Sequence, residues 1–570
     1  MSVCVVMLLA LGTKPPDDPR FTLLEAMASE LERSRAALRL NGDKGPYFIA
    51  YQVKDTERRE IAGRYGALFQ NDSDRDRRLS VDVRVGDYDY DSSVADEFDF
   101  NFSGKGTSFI PQKNGPLDDS PAALRTALWL VTDEKYKAAL SNYLKKKGED
   151  VYSVEDPKRP PSFSRESRAV VTGPKVPFPF ARDRWAALAR GVSAALAARK
   201  ELLDSEVRVS ATKTIRLYAN TEGSRLITEQ ALYGVHIQAW TRAEDGQLLE
   251  NSRDWYAPAE AQLPSDARIR SDTEQMTRDL LALRGAPTID PYTGPAILEP
   301  DAAGVLFHEA VGHRLEGERQ GNDTEGKTFR GQVGKRVLPS FLSIIDDPTA
   351  ASRSGIRLNG HYLFDEEGVP AQPVTLVQGG VLKAFLLSRK PVEGFLNSNG
   401  HGRAQGGRKP VARMANLIVE SSKRMSNEAL KARLVAEARR QGKPFGLIIR
   451  DITGGNTNTT TFGYQAFKGT PRMVVRVDVD TGEETLVRGV EIVGTPLSSV
   501  NRVLATSDVE GVFNGFCGAE SGMVPVSTVA PSVLLEEIEL QRAVEGKDRP
   551  PLIESPFGAP SHLPTGSSVD

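Results

Sequence analysis

EPDAAGVLFHEAVGHRLEG, residues 299–317, is the stretch on which the reading of this chain turns. Pro300 suits a first helical turn, because its missing N–H would have no intrahelical partner there. Asp301 adds negative charge where the helix dipole favours it. Ala302, Ala303, Val305, Leu306, Phe307, Ala310, Val311 and Leu315 cover most sides of the helix, which predicts a buried element. A buried helix does not carry His308, Glu309 and His313 without partners, since uncompensated polar burial is costly. A bound metal would supply those partners.

The pattern is HExxxH, not the HExxH that stacks two histidines one turn apart on one face. In a regular helix the two imidazoles would diverge by about 140°, with Glu309 about 100° from His308. A π-bulge would draw them together. Gly304 and Gly312 would ease that distortion and admit a neighbouring element closely. The spacing therefore predicts a local irregularity between His308 and His313. The competing reading is two helical histidines hydrogen-bonded to backbone.

The rest of the chain constrains what such a site could serve. With 570 residues there is room for two or three domains. A formal net charge of −3 gives no field that points to nucleic acid or an anionic membrane surface. No apolar run reaches the ~20 residues needed to span a bilayer. Cys4 lies in MSVCVVMLLALG, where residues 3–11 fit the apolar core of an export signal, with Ala10 and Gly12 as small residues before a cut. The absence of Lys or Arg ahead of it weakens that reading. Residues 1–20 are thus a weak signal, a disordered start or an N-terminal strand. With the leader removed, Cys517 is the one thiol, and a lone Cys beside a His pair reads as a metal ligand or nucleophile.

Outward from the helix, the N-terminal side reads as helices and strands in mixture. Residues 21–40 are an amphipathic helix, 46–55 and 78–85 alternate as strands, and IAGRYGALFQNDSD (61–74) between them reads as another strand and a turn. The acidic insert 86–118 reads as a solvated loop. Helices follow over 121–147 and from Asp183, separated by a Pro- and Ser-rich linker. Strands over 207–230 and a hairpin turned at Asp245–Gly246 precede a helix at 268–284. Beyond 317, a Gly-rich polar stretch gives way to short strands separated by Gly-Gly and Asp-Gly turns, the pattern of an antiparallel sheet. The expected architecture is α+β. An N-terminal α+β domain spans 21–285 and a β-rich antiparallel C-terminal domain spans 286–545, with the metal helix at their junction. The Pro- and Ser-rich tail 546–570 is expected to be disordered.

Two imidazoles need at least one more protein ligand to hold a catalytic zinc with a position left for water. The candidates are His361, His401, an acidic residue and Cys517. Cys517 sits in GFCGAESG, where Gly515 and Gly518 allow tight folding around a thiolate.

At this point the chain resembles the TldD/PmbA metallopeptidases, specifically the TldD-like catalytic branch. The resemblance rests on HEAVGHRLEGE (308–318), YLFDEEGVPAQPVTLVQGGVL (362–382), PVARMANLIVE (410–420), GLIIRDITGGNTN (446–458) and CGAESGMVPVSTVAPS (517–532), in that order. The first 285 residues match more weakly, with NTEG at 220–223 the clearest piece, and the acidic insert diverges. The resemblance implies a zinc ion (Zn2+) held by His308, His313 and Cys517, with Glu309 as catalytic acid and base. It implies dimers, with a second copy or with a PmbA/TldE-like subunit, enclosing a narrow cleft that admits unfolded peptide. It implies a cytoplasmic location, or an exported one if residues 1–12 act as a signal. The non-catalytic branch lacks HExxxH, and this chain has it.

The expected function is a zinc-dependent metallopeptidase that hydrolyses unfolded or linear peptides with a zinc-activated water. Arg413 and Asn416 are candidates for anchoring substrate backbone or carboxylate, against a structural ion pair for Arg413. Gly454 and Gly455 are candidates for seating an extended peptide on a strand edge, against a β-bulge. His401 is a candidate at the cleft, against an ordinary loop histidine. Two alternatives stand beside this reading. One is a non-cleaving peptide-binding subunit with a structural metal, which would close all four positions of the ion. The other is a metal-dependent hydrolase of non-peptide amides.

Overall fold

The computed structural model describes residues 18–40, 42–93, 114–150, 159–321, 328–457, 467–494 and 496–543. The signal-like start, most of the acidic insert and the tail 546–570 lie outside the described residues.

The N-terminal elements are α1 (Pro19–Ala37), β1 (Pro46–Arg64), β2 (Ala67–Val85), α2 (Pro121–Asp150), β3 (Val170–Thr172), α3 (Arg182–Ala197), β4 (Leu202–Asn220), β5 (Arg225–Arg242), β6 (Leu248–Ala257) and α4 (Asp266–Gly285). Their strands form one sheet in the order β2-β1-β4-β5-β3, with β6 also paired to β5. The β1–β2 ribbon is much longer than its apolar pattern suggests. It turns at Tyr65 and Gly66, both at positive φ (52° and 79°), which matches the twist of a two-residue hairpin. The Asn/Asp/Ser run at 71–74, read from sequence as a turn, is strand instead. Cross-strand ion pairs make the difference: Arg58 meets Asp74 at 3.1 Å and Arg75 meets Asp55 at 2.6 Å across the ladder. The turn expected at Asp245–Gly246 is present, with Gly246 at φ 95°.

Odd-numbered residues of this sheet face the helices. Ile49, Tyr51, Val53 and Leu217 pack with α1 and α2, and Val207, Val209, Val235 and Ile237 pack with α3 and α4. The other face looks toward the C-terminal half.

That half begins with β7 (Tyr292–Leu298) and α5 (Pro300–Ala310), and most of its described strands join in a twelve-stranded sheet, with Ser352–Arg353 and Ile356–Arg357, and Gly402–Arg403 and Val411–Ala412, paired apart from it. Most pairings are antiparallel, as expected, but three are parallel: Asn416–Ser421 with Gly522–Arg542, Phe445–Thr457 with β7, and Arg424–Met425 with Val503–Ala519. The longest ladder is the hairpin of Val503–Ala519 and Gly522–Arg542. Helix α5 lies in the core against it. Gly304 sets the approach, since a Cβ there would come within 3.1 Å of the Phe513 Cβ.

The two halves meet through buried charge. Lys54 pairs with Glu366 at 2.8 Å, and Arg216 donates to the Asp365 carbonyl at 2.6 Å. Arg389 binds Glu222 through two 2.7 Å hydrogen bonds. The NTEG and DEEG segments, far apart in sequence, therefore both serve this seam. Burial lifts the Asp365 carboxyl to about 7, against the N–H groups of Val369 and Gly402. Burial and then the charge of Asp365 push Glu367 well above the carboxylate range. Folded, this pair keeps protons that unfolded carboxyls release near pH ~4. The stability that Asp365 contributes is complete below about pH 4 and is lost as pH rises through about 7, and that of Glu367 is lost in the same direction. Glu367→Gln removes one acid of the pair. Its unfolding temperature should fall less than that of the parent between about pH 5 and pH 8, and thermal melts that run parallel across that window would show that the pair does not titrate there.

Candidate metal centre

Helix α5 stops at Ala310, and a 3₁₀ turn runs from Gly312 to Leu315. The expected irregularity is there, but it is a helix end and not a π-bulge. Val311, at φ −119° and ψ −49°, makes the last i−4 bond to Phe307, and Arg314 then bonds Val311 at i−3. The axis breaks at Val311, so His313 is released from the helical separation that would have splayed it from His308. Gly312 leaves room at the break for Met414, whose thioether occupies the space a Cβ would take and would have to shift if one were added.

The two rings lie 5.0 Å apart, nearly perpendicular at 86°. His308 Nε2 is 3.2 Å from Cys517 Sγ and His313 Nε2 is 3.4 Å from it. All three residues are buried, and their donor atoms lie within 4.8 Å of one another. A tetrahedral zinc with ordinary Zn–S and Zn–N bonds needs N···S separations of about 3.5 Å. The donor set fits the ion. A thiolate with two imidazoles favours zinc over magnesium or calcium, which take oxygen.

The electrostatics agree with a cation site. Burial pushes the Cys517 thiol up, but its hydrogen bonds to His308 and His313 outweigh it and hold the thiol down at about 4. Burial pulls His313 down, but Glu316 and Cys517 more than offset it and raise the imidazole to about 10. Without an ion, a proton on His313 balances the thiolate. A divalent cation would displace it and take over the same attraction.

Glu309 stands at the rim, with its carboxylate 3.9 Å from His313 Nε2 and its side chain 12 % exposed. It is not one of the three donors. Glu316 was not singled out from the sequence. Both its carboxylate oxygens lie 3.2 Å from His313 Nδ1, and it is buried. The signal was its position three residues after His313, on the same side of the turn. His308 Nδ1 is buried and has no hydrogen-bond partner among the described residues.

The other candidates are placed elsewhere or face inward. Arg413 is fully buried, and its guanidinium donates to the Cys517 carbonyl at 2.8 Å and to Ser521 Oγ at 2.9 Å. It has no face left for substrate, because the side chain is fully buried and the hairpin takes its terminal N–H groups. Asn416 is buried and donates to the carbonyls of Asp347 and Ala350. His401 is buried with Nε2 3.3 Å from Asp346 Oδ1, so it is neither a cleft nor a surface-loop histidine. His361 Nδ1 lies 3.1 Å from the Pro348 carbonyl, and it does not join the donor set. Gly454 and Gly455 lie in the strand Phe445–Thr457, where the register slips between Ile452 and Gly455.

Residues 291–542 match the family model of the PmbA/TldA metallopeptidase C-terminal domain. The chain is 32% identical over 241 residues to a metalloprotease of Archaeoglobus fulgidus, covering 42% of this chain and 51% of that protein. It is 27% identical over 250 residues to a zinc metalloprotease TldD homolog of Saccharolobus solfataricus, covering 43% of this chain and 51% of that one. The chain thus spans about half the length of these relatives. In fold it is similar to the crystal structure of TldE from Thermococcus kodakarensis, with a TM-score of 0.59 at 14% identity over 90% of this chain and 100% of that one.

Proposed function

We propose that this chain, which belongs through residues 291–542 to the PmbA/TldD metallopeptidase family, is a zinc-dependent hydrolase of unfolded or linear peptides. One observation carries the reading: His308, His313 and Cys517 converge on a point beside the Glu309 carboxylate. Among the described residues three donors meet, which leaves a fourth position open, the mark of a catalytic rather than a structural site. When bound there, zinc lowers the pKa of its water toward ~7 and polarises a carbonyl. The chain's own residues do the rest. His308, His313 and Cys517 hold the ion, and the thiolate offsets part of its charge. Glu309 accepts a proton from the attacking water and returns it to the leaving nitrogen.

The hairpin supports an extended substrate. Strand Val503–Ala519 is paired along one side, but on its other side the described residues pair it only at Thr506 and Ser507. From Glu510 to Phe516 no described strand pairs with that edge, and a peptide strand can add to its backbone groups whatever its sequence. Phe516 (49 %) and Met523 (51 %) are exposed on the hairpin face opposite the Cys517 sulfur and offer apolar contact to peptide side chains of that face. By the same family reading, the chain assembles with a second copy or with a PmbA/TldE-like subunit.

Removing the metal tests the proposal. The protein is incubated with a library of unstructured peptides before and after exhaustive chelation, and again after zinc is restored. Cleavage should vanish and return with stoichiometric zinc. Undiminished cleavage by zinc-free protein would end the proposal. Zinc-dependent turnover of small amides with no cleavage of any peptide would replace its substrate class.

A further inference from the structure

The three ligands come from two parts of the chain far apart in sequence. His308 and His313 flank the end of α5, whereas Cys517 lies 204 residues beyond His313, near the tip of the long hairpin. A metal centre needs its donors fixed within a fraction of an ångström, so something must hold the helix end and the hairpin in register. Two buried side chains span the gap. Glu316 places both oxygens 3.2 Å from His313 Nδ1 and accepts from Arg319 Nε at 2.7 Å. Its Oε1 also lies 3.6 Å from Arg413 Nε. Arg413 in turn donates to the Cys517 carbonyl at 2.8 Å, to Ser521 Oγ at 2.9 Å and to the Gly522 carbonyl at 3.2 Å. Those three acceptors bracket the hairpin turn that carries the thiolate.

We propose that Glu316 and Arg413 act together as one positioning unit, a carboxylate–guanidinium strut that sets the His313 ring and the Cys517 backbone relative to each other. This rests on the zinc reading of the site. Neither residue touches the ion position, and neither is a catalytic residue. The carboxylate fixes the tautomer and orientation of a ligating imidazole and raises its basicity, an outer contact whose loss costs roughly 10- to 100-fold in metal affinity. The guanidinium is suited to the other end, because its planar fork can satisfy two hairpin carbonyls and a hydroxyl while it faces a carboxylate. Lysine, a single point of charge, cannot span those acceptors.

The test uses the full chain with cobalt in place of zinc, so that the thiolate-to-metal charge-transfer band and the ligand-field bands report geometry directly. Glu316→Gln, Arg413→Lys and the double variant are compared with the parent, and metal affinity is measured by chelator competition. Cys517→Ser serves as the control that removes the charge-transfer band. Each single variant should still bind the ion at saturation, with affinity lower by roughly 10- to 100-fold and with shifted cobalt bands. The double variant should cost little more than the worse single one, since coupled residues are not additive. Variants that melt at lower temperature yet match the parent in affinity and cobalt spectrum would overturn the proposal, because the strut would then be structural only. Fully additive losses would overturn it as well, by showing two independent contacts. If Glu316→Gln does not fold, the cobalt spectrum of Arg413→Lys alone decides. A parent protein that binds neither zinc nor cobalt would instead defeat the zinc reading itself.

Discussion

Glu309→Gln should abolish peptide cleavage while leaving bound zinc close to the parent level. The carboxylate sits 3.9 Å from His313 Nε2 but outside the converging donor set, so the ion does not depend on it. Glutamine keeps the size and most of the hydrogen bonding of glutamate, and it cannot take up a proton. Loss of a general base in this position costs about 10²- to 10⁴-fold in turnover, or about 3 to 5 kcal/mol of barrier. Paired measurements of kcat and zinc stoichiometry decide the matter. A variant that cleaves at the parent rate would remove Glu309 from the chemistry. One that loses its zinc would make Glu309 a ligand.

Cys517→Ala should empty the site. Its sulfur is the donor common to both short contacts, 3.2 Å from His308 and 3.4 Å from His313. Structural zinc sites with four ligands bind with about 10–16 kcal/mol. An even share per ligand puts the loss at roughly 60- to 700-fold in affinity, by roughly 1.4 kcal/mol per decade. Two isolated imidazoles would hold zinc weakly, and cleavage should fall with it. Cys517→Ser, nearly the same size, separates loss of the donor from loss of packing. Unchanged zinc content in either variant would remove the thiolate from the set.

Local patterns were read well where a single segment decides the outcome. The apolar coverage of 300–311 announced a buried helix, and HExxxH announced two imidazoles with a distortion between them. The kind of distortion was not legible, because spacing gives an angle about an axis and cannot say that the axis ends at Val311. The β1–β2 ribbon was underestimated for a related reason. Asp and Asn favour turns on their own, and it takes cross-strand partners such as Arg58, which meets Asp74 from the facing strand, to hold them in a ladder. Arg413 and His401 show the same limit at the site. A buried charge is interpretable only through partners far away in sequence, here Ser521 and Cys517 for the arginine and Asp346 for the histidine. The place of Cys517 beside the helix depends on the register of a long hairpin, to which its flanking glycines gave only a hint.

The wide separation of the donors has a consequence for biosynthesis. Cys517 follows His308 by 209 residues, so at ordinary translation speeds of about 5–20 residues per second it emerges roughly 10 to 40 s later. Until then the growing polypeptide carries only a pair of imidazoles and no third donor. Under the proposed function, the cutting centre would be incomplete while the chain is being made and would be completed only once the hairpin that carries Cys517 has paired.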